Sequence, residues 1–415
     1  MLPPTLLPFL CVVLLCLPLA AIFIFTTPST TNTVVLTGGA TNPQPLIPIT
    51  KSKSFTNTTR NTPESVLFPP KKTLIKAMFI KNQTTASTTA PPPPASPLAE
   101  DDDDDVSLLK LASRVYPSPK PVKKLAFMFL TTSHLPFAPL WEMFFARAPK
   151  NLYNIYVHAD PGINYTTPFL GVFNRRVIPS KPTLRNTPTL ISAARRLLAH
   201  ALLHDESNSM FALLSPSCVP LHSFSYTYRI LIRSRRSFIE ILDNEPGAYE
   251  RWAARGEETM FPEVKFEDFR IGSQFWAVRR KHARIIVRDT RLWSKFRLPC
   301  LDDYMWYCYP EEHYFPTLLS MMDPRGCIPC TLTHVDWSGG SDGHPRMYNA
   351  SEVGRDLILT LRKSRPRYGD EESNGWNSSV SVRRRRHDPF LFARKFSPGS
   401  LHRLMSIAND VIFKD

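Results

Sequence analysis

Three short strand-like runs separated by helical patterns constrain the fold of this chain more than any other feature. The runs cover residues 125–130, 154–158 and 210–214, and apolar sequence of this length is typical of strands buried on both faces of a sheet. Between them, one helical pattern opens near Pro139 and another spans residues 190–204. This alternation predicts an α/β domain with a parallel sheet.

The fold class also predicts where a functional site lies. Open parallel sheets bind their ligands beyond the carboxyl ends of the strands. The segments that follow the three predicted strands are residues 131–134, 158–160 and 215–218. We therefore expect these segments to line one crevice.

The folded domain does not occupy the whole chain of 415 residues, because residues 1–121 hold 19 of its 40 prolines. Residues 28–121 are rich in Ser, Thr and Pro and include five consecutive aspartates, Asp101 to Asp105. We predict a disordered stem in which the aspartates form a solvated, self-repelling spacer. The domain is expected to span residues 122–415, with a mobile basic insertion at 363–388.

An apolar run of twenty residues, 6–25, contains no charged side chain. A helix of this length crosses about 30 Å of hydrocarbon, so we expect residues 1–27 to hold a single transmembrane signal-anchor. A cleaved signal peptide is the alternative, although it usually has a basic n-region and a shorter apolar core. No charge precedes Lys51, so flanking cations do not set the orientation.

The chain is strongly basic, and part of its positive charge is concentrated in one run of arginines. The chain carries 51 Lys and Arg against 36 Asp and Glu, a formal net charge of +15. Four consecutive arginines, Arg383 to Arg386, are interpreted as a solvated loop, with the binding of an anionic polymer as the alternative.

A zinc site at Cys327, Cys330 and His334 lacks a second ligand pair, so no metal site is predicted. The domain has an odd number of cysteines, and their pairing is open: Cys218, Cys300, Cys308, Cys327 and Cys330.

Five Asn-x-Ser/Thr sequons are candidate N-glycosylation sites. They are Asn57, Asn82, Asn164, Asn349 and Asn377.

Seven sequence blocks occur in the same order as in a known family. They read KLAFMFLTTSH, NLYNIYVHADP, FALLSPSCVPL, FRIGSQFWAVRRKHA, CYPEEHYFPTLL, THVDWSGG with HP following, and LFARKFSP. Over about residues 122–405 the chain resembles the plant branch of glycosyltransferase family 14, which is related to the core-2/I-branching β-1,6-N-acetylglucosaminyltransferases.

The resemblance implies a Golgi type II membrane glycosyltransferase with a GT-A-like luminal domain. It implies inverting transfer of N-acetylglucosamine, glucuronic acid or xylose from a UDP-sugar to a glycan or glycoprotein acceptor. We expect no nucleic-acid partner and no divalent metal or other cofactor, the UDP-sugar being a co-substrate. A homodimer is left open.

The motif PEEHYF at residues 310–315 is the candidate catalytic element. Inverting transfer needs a carboxylate that removes the proton of the acceptor hydroxyl as this attacks the anomeric carbon. Glu312 matches the catalytic base of the resembled family. The alternative is that Glu311 and Glu312 only complement a helix macrodipole. Pro316 has no N–H, so we expect it to kink or restart this helix.

Cations take the place of a metal in the predicted donor site, since residues 106–415 contain no Asp-x-Asp sequence. Lys395 falls on the position at which the family neutralises the leaving UDP, and Arg346 is the candidate for a second cation. Asp160 matches the family residue near the uridine, with a turn-forming role before Pro161-Gly162 as its alternative. His134 is a further nucleotide-side candidate.

Two side chains are acceptor-side candidates. Trp337 could stack on a sugar ring, and the alternative is that it belongs to the core. Glu267 could accept hydrogen bonds from sugar hydroxyls, and the alternative is that it is a solvated surface acid.

The chain also departs from the family. Residues 185–188 read Arg-Asn-Thr-Pro where plant members usually have Trp-Gly, and residues 192–195 lack a common acidic residue. These departures favour, as the alternative function, a catalytically inactive nucleotide-sugar- or glycan-binding descendant of the same fold.

Overall fold

The computed structural model describes residues 102–165, 169–338, 344–370 and 386–415, which belong to one compact unit. Within these ranges no helix combines the length and apolar character needed to span a membrane. The predicted anchor at 6–25, the sequons at Asn57, Asn82 and Asn377, and Arg383 to Arg385 lie outside them.

A mixed six-stranded sheet forms the centre of the domain. Its strands are β1 (Lys124–Thr131), β2 (Tyr153–Ala159), β3 (Asn208–Leu214), β5 (Ser237–Phe238), β6 (Ala277–Arg279) and β7 (Cys327–Ile328). They are arranged in the order β2-β1-β3-β6-β5-β7. Strand β1 pairs in parallel with both β2 and β3, which confirms the predicted α/β class and its three parallel strands. Strand β6 runs antiparallel to its neighbours β3 and β5.

Helices of varied length surround this sheet. They are α1 (Asp102–Ser113), α2 (Ala138–Ala146), α3 (Thr189–His204), α4 (Phe224–Arg233), α5 (Ala248–Ala253), α6 (Glu257–Met260), α7 (Arg280–Arg288), α8 (Trp293–Phe296), α9 (Pro310–Met322), α10 (Arg355–Lys363) and α11 (Leu401–Ile407). Helices α2 and α3 coincide with the two helical patterns seen in the sequence.

The two faces of β1 contribute to two different layers of core. Phe127 packs on the aromatic face of α2, with its ring centroid 5.1 Å from that of Phe145. Met128 points to the other face and belongs to the same cluster as Leu197 of α3. Because successive side chains of a strand alternate in direction, a strand covered on both faces must be apolar throughout.

A second, three-stranded sheet brings the C-terminal motif to the main sheet. It consists of β4 (Val219–Pro220), β9 (Phe392–Arg394) and β8 (Thr333–Val335), in that order. Strand β9 is antiparallel to β4 and parallel to β8. Since β4 follows β3 after a short loop, the residues after β9 lie near the carboxyl end of β3.

Helix α1 corrects both the stem boundary and the spacer prediction. It packs against the cluster formed by α3, with Leu109 against the core. Asp105 forms ion pairs with Arg196 and Lys181, and its side chain is only 18% exposed. Arg196 is only 7% exposed, so its guanidinium needs a counter-charge, which sequence composition does not reveal. The folded domain therefore begins before residue 122.

Candidate active site

Helix α9 places Glu311 and Glu312 at the carboxyl edge of the main sheet. The helix begins with Pro310, whose missing N–H costs nothing at that position, and the two acids occupy its first turn. It continues through Pro316 without interruption, so the predicted restart does not occur. Pro316 cannot donate to the carbonyl of Glu312, four residues earlier, and the N–H of Gly272 donates to this carbonyl instead at 2.9 Å.

Gly272 is required by this close approach. A Cβ atom at position 272 would lie 2.1 Å from the backbone oxygen of Glu240. The segment after β5 and the segment before β6 therefore lie tightly against the start of α9, which fixes the backbone that carries Glu312.

The Glu312 carboxylate is half-buried, with 29% of its side chain exposed. Burial raises its pKa, while the guanidinium groups of Arg251, Arg394 and Arg185 lower it again without cancelling the increase. Arg251 Nη1 lies 3.4 Å from Glu312 Oε2. A carboxylate with a raised pKa and partial access is suited to accept a proton.

The three arginines whose charges act on Glu312 belong to separate parts of the chain. Arg251 belongs to α5, and Arg394 ends β9, with its Cζ 4.6 Å from the centre of the Phe275 ring. Arg185 lies in the exposed loop before α3 and contacts the ring of His344. The crevice is therefore strongly positive around one carboxylate.

Glu311 differs sharply from its neighbour. It is 5% exposed, and burial raises its pKa to about 8, so it holds a proton at neutral pH. Its Oε2 has no hydrogen-bond partner among the described residues, nor do Arg255 Nη1 and Nη2 or either ring nitrogen of His313. The two acids of the motif are thus one buried neutral carboxyl and one accessible carboxylate.

Lys395 and Trp337 lie at one edge of the second sheet. They follow the parallel strands β9 and β8, in which Arg394 pairs with Val335. The Lys395 carbonyl accepts a hydrogen bond from the N–H of Tyr348 at 2.8 Å. Trp337 is 59% exposed, which excludes the core alternative for this residue.

Arg346 is engaged by two carboxylates. It pairs with Asp336 at 3.5 Å and with Glu352, and its Cζ lies 5.0 Å from the centre of the Tyr348 ring. Its charge is therefore largely neutralised by protein groups. This arrangement makes Arg346 a weaker candidate for a diphosphate than its position in the motif suggests.

Asp160 and His134 follow β2 and β1 at the carboxyl edge, as the fold class predicts. Asp160 Oδ1 accepts from the N–H of Gly162, and Oδ2 accepts from the N–H and the hydroxyl of Thr183, all at 2.8 Å. Although burial raises its pKa, these hydrogen bonds lower it below the usual range. The turn-forming alternative is thus observed, and Asp160 also fixes the loop that leads to Arg185. His134 is exposed and stands edge-on to Tyr165, with 5.7 Å between the ring centroids.

Glu267 is not brought to Glu312 by any described contact. It is 74% exposed and pairs with Lys265 at 3.3 Å. Glu240, which follows β5, is instead within electrostatic reach of Glu312, and burial raises its pKa to about 7. The short strand β5 has no clear pattern of its own, so sequence reasoning missed Glu240.

Comparison with known proteins identifies the family to which this crevice belongs. The family model described as Core-2/I-Branching enzyme matches residues 125–362, more than half of the chain. The chain belongs to the core-2/I-branching family. It is also 30% identical over 323 residues to Glycosyltransferase BC10 of Oryza sativa subsp. japonica, covering 70% of this chain and 78% of that protein. The protein is a glycosyltransferase, and an enzyme of this class binds a nucleotide-sugar donor and a glycan acceptor.

The family match contains Glu312 and most other candidates, but it ends before Lys395. Arg185 and Arg251 also lie within it, and sequence reasoning did not select them. The signal for Arg185 was its place in the departure at residues 185–188. Nothing in the local sequence marks Arg251, because only tertiary packing brings α5 to α9.

The five cysteines of the domain are in two different states. Cys300 and Cys308 form a disulfide with a Cα–Cα distance of 6.1 Å, while Cys218, Cys327 and Cys330 are buried free thiols. In the described ranges no three His, Cys, Asp or Glu side chains are grouped so as to hold a metal ion. Asn164 and Asn349 are exposed.

Proposed function

We propose that this enzyme is a Golgi type II membrane glycosyltransferase that transfers N-acetylglucosamine, glucuronic acid or xylose from a UDP-sugar to a glycan, with inversion and without a divalent metal. The observation that carries the proposal is the half-buried Glu312 carboxylate among three guanidinium groups at the carboxyl edge of the sheet. The parallel strands, together with the candidate site residues at their carboxyl ends, support the assignment of a GT-A-like fold. The apolar run at 6–25 supports a membrane anchor.

Glu312 acts as the general base in this mechanism. It accepts the proton of the acceptor hydroxyl as the hydroxyl oxygen attacks the anomeric carbon of the donor. The bond between that carbon and the β-phosphate oxygen breaks, and UDP leaves with the bonding electron pair. Attack from the face opposite the leaving group inverts the anomeric centre.

Cations stabilise the departing diphosphate. Lys395 lies at the end of β9, and Arg185 is exposed in the facing loop, so both can approach a diphosphate in the crevice. Fixed positive charge at a developing anion lowers the barrier without a metal ion. The positive side chains and the lack of Asp-x-Asp in residues 106–415 support this part of the proposal.

Release of UDP by the full-length chain in detergent tests the proposal. UDP-N-acetylglucosamine, UDP-glucuronic acid and UDP-xylose are each supplied with mixed glycan acceptors in EDTA. We expect one donor to be turned over by the wild type and by Glu206→Gln, a surface control, but not by Glu312→Gln. Turnover that requires added Mn²⁺ would contradict metal independence.

Melting temperatures measured beside the UDP-release assay distinguish an active enzyme from the inactive alternative. If a UDP-sugar raises the melting temperature of the wild type but no UDP is released with any acceptor, the protein is a binding descendant of the fold.

A further inference from the structure

A groove at the opposite edge of the sheet contains an unusual concentration of arginine. Its volume is about 380 Å³, and its charged lining consists of five arginines and one aspartate: Arg229, Arg233, Arg235, Arg236, Arg386 and Asp388. We name this feature the basic groove. Its apolar floor includes Phe238 and Ile328 of strands β5 and β7.

Most of the positive charge of the basic groove has no counter-charge. Arg229, Arg233, Arg235 and Arg236 are all exposed, and none forms an ion pair with a described residue. Asp388 is paired with Arg386. Four like charges therefore line one concave surface, and a bound anion would reduce the repulsion between them.

The turn that presents these arginines is held in place by hydrogen bonds. The Ser234 hydroxyl donates to the carbonyl of Arg236 at 2.7 Å, and the Ser234 carbonyl accepts from Arg279 Nη1 at 2.6 Å. Arg229 lies over the ring of Tyr226, with its Cζ 5.0 Å from the ring centre. The cations are thus presented by an ordered backbone.

The basic groove is separate from the crevice that contains Glu312. Strand β5 is antiparallel to β6, which is antiparallel to β3, so β5 and β3 run in the same direction. Arg236 immediately precedes β5, whereas the crevice lies where β3 ends. Phe238 and Ala212 both pair with Ala277, so Arg236 is level with Met210. Four residues of β3 lie between that level and Leu214, which is roughly 13 Å at about 3.3 Å per residue. A single sugar cannot occupy both places.

We propose that the basic groove binds an anionic polysaccharide, a linear glycan bearing repeated carboxylate or sulfate groups. Guanidinium groups bind such anions through paired N–H donors. A glycan is favoured over nucleic acid because single-stranded nucleic acids need exposed aromatic rings for stacking, and here Tyr226 is covered by Arg229 and Phe238 is 1% exposed. A concave surface also fits a single chain better than a flat lipid surface. The site adds polymer binding to the transfer reaction and does not rest on it.

Binding of labelled polygalacturonate oligomers to the full-length chain in detergent tests this proposal. The test variant combines Arg233→Gln, Arg235→Gln and Arg236→Gln. Its matched control removes three exposed cations outside the groove by Arg147→Gln, Lys150→Gln and Arg403→Gln. We expect the test variant to raise the Kd at least tenfold and to flatten its salt dependence, while the control changes the Kd less than twofold.

Three results would overturn the proposal. Equal losses in the two variants would show that only net charge matters. Equally tight binding of oligothymidylate, with the same loss in the test variant, would assign the groove to nucleic acid. Binding of vesicles containing phosphatidylserine without binding of polygalacturonate would assign it to lipid. Melting temperatures of both variants establish that each is folded.

Discussion

The ion pair between Arg251 and Glu312 joins α5 to the first turn of α9, with 3.4 Å between Nη1 and Oε2. Burial raises the pKa of Glu312, and Arg251 is the cation that lowers it most. Arg251 therefore both holds the Glu312 carboxylate in position and lowers its pKa.

Replacing Arg251 by Gln should shift the acid limb of the kcat profile to higher pH. Without the guanidinium, the pKa of Glu312 rises further, so the base is protonated and inactive over a wider pH range. Because both partners are partly exposed, we expect the ion pair to contribute at most about 1 kcal/mol, which corresponds to a shift of about 0.7 pH unit. Arg251→Lys should restore much of the profile. An unchanged acid limb in Arg251→Gln would contradict this role.

Arg185 should contribute to donor binding. It is exposed at the crevice and forms no ion pair with a described carboxylate, unlike Arg346. We expect Arg185→Gln to raise the Kd for UDP about tenfold, or about 1.4 kcal/mol. Isothermal titration with UDP measures the change, and Arg147→Gln serves as the control with a distant exposed arginine. A lower melting temperature with unchanged UDP affinity would instead assign Arg185 a purely structural role.

Local sequence sufficed for the parallel strands because β1, β2 and β3 are buried on both faces and are mostly apolar. It also sufficed to place Asp160 and His134 at the carboxyl edge. The arginines around Glu312 could not be predicted in this way, since positions 185, 251 and 394 are brought together only by long-range packing. The helix before residue 114 was missed for a similar reason, because its aspartate pairs with the buried Arg196 of a later helix.

The disulfide between Cys300 and Cys308 should stabilise the loop that precedes α9. It closes a loop with a sequence separation of 8 that ends two residues before the helix. Constraint of a loop of this size in the unfolded chain is worth about 2.5 kcal/mol. We expect dithiothreitol to lower the melting temperature of the wild type but not that of the Cys300→Ser, Cys308→Ser double variant. Equal effects on both proteins would contradict a stabilising bond.

Glu311 should make the stability of the enzyme fall as pH rises. Its pKa is raised from 4.5 to about 8 in the folded state, so between these values the folded chain keeps a proton that the unfolded chain loses. The stabilising effect of that proton is complete below about pH 4.5 and is lost progressively towards pH 8. At about 1.36 kcal/mol per pKa unit, roughly 5 kcal/mol is an upper limit.

Glu311→Gln removes this titration while keeping a neutral side chain of similar size. We therefore expect its melting temperature to change less between pH 5 and pH 8 than that of the wild type, with the variant the more stable of the two at pH 8. Glu206→Gln, which alters an exposed acid paired with Lys120, should follow the wild type at both pH values. If Glu311→Gln lost stability as steeply as the wild type, the buried carboxyl would not be the group that titrates.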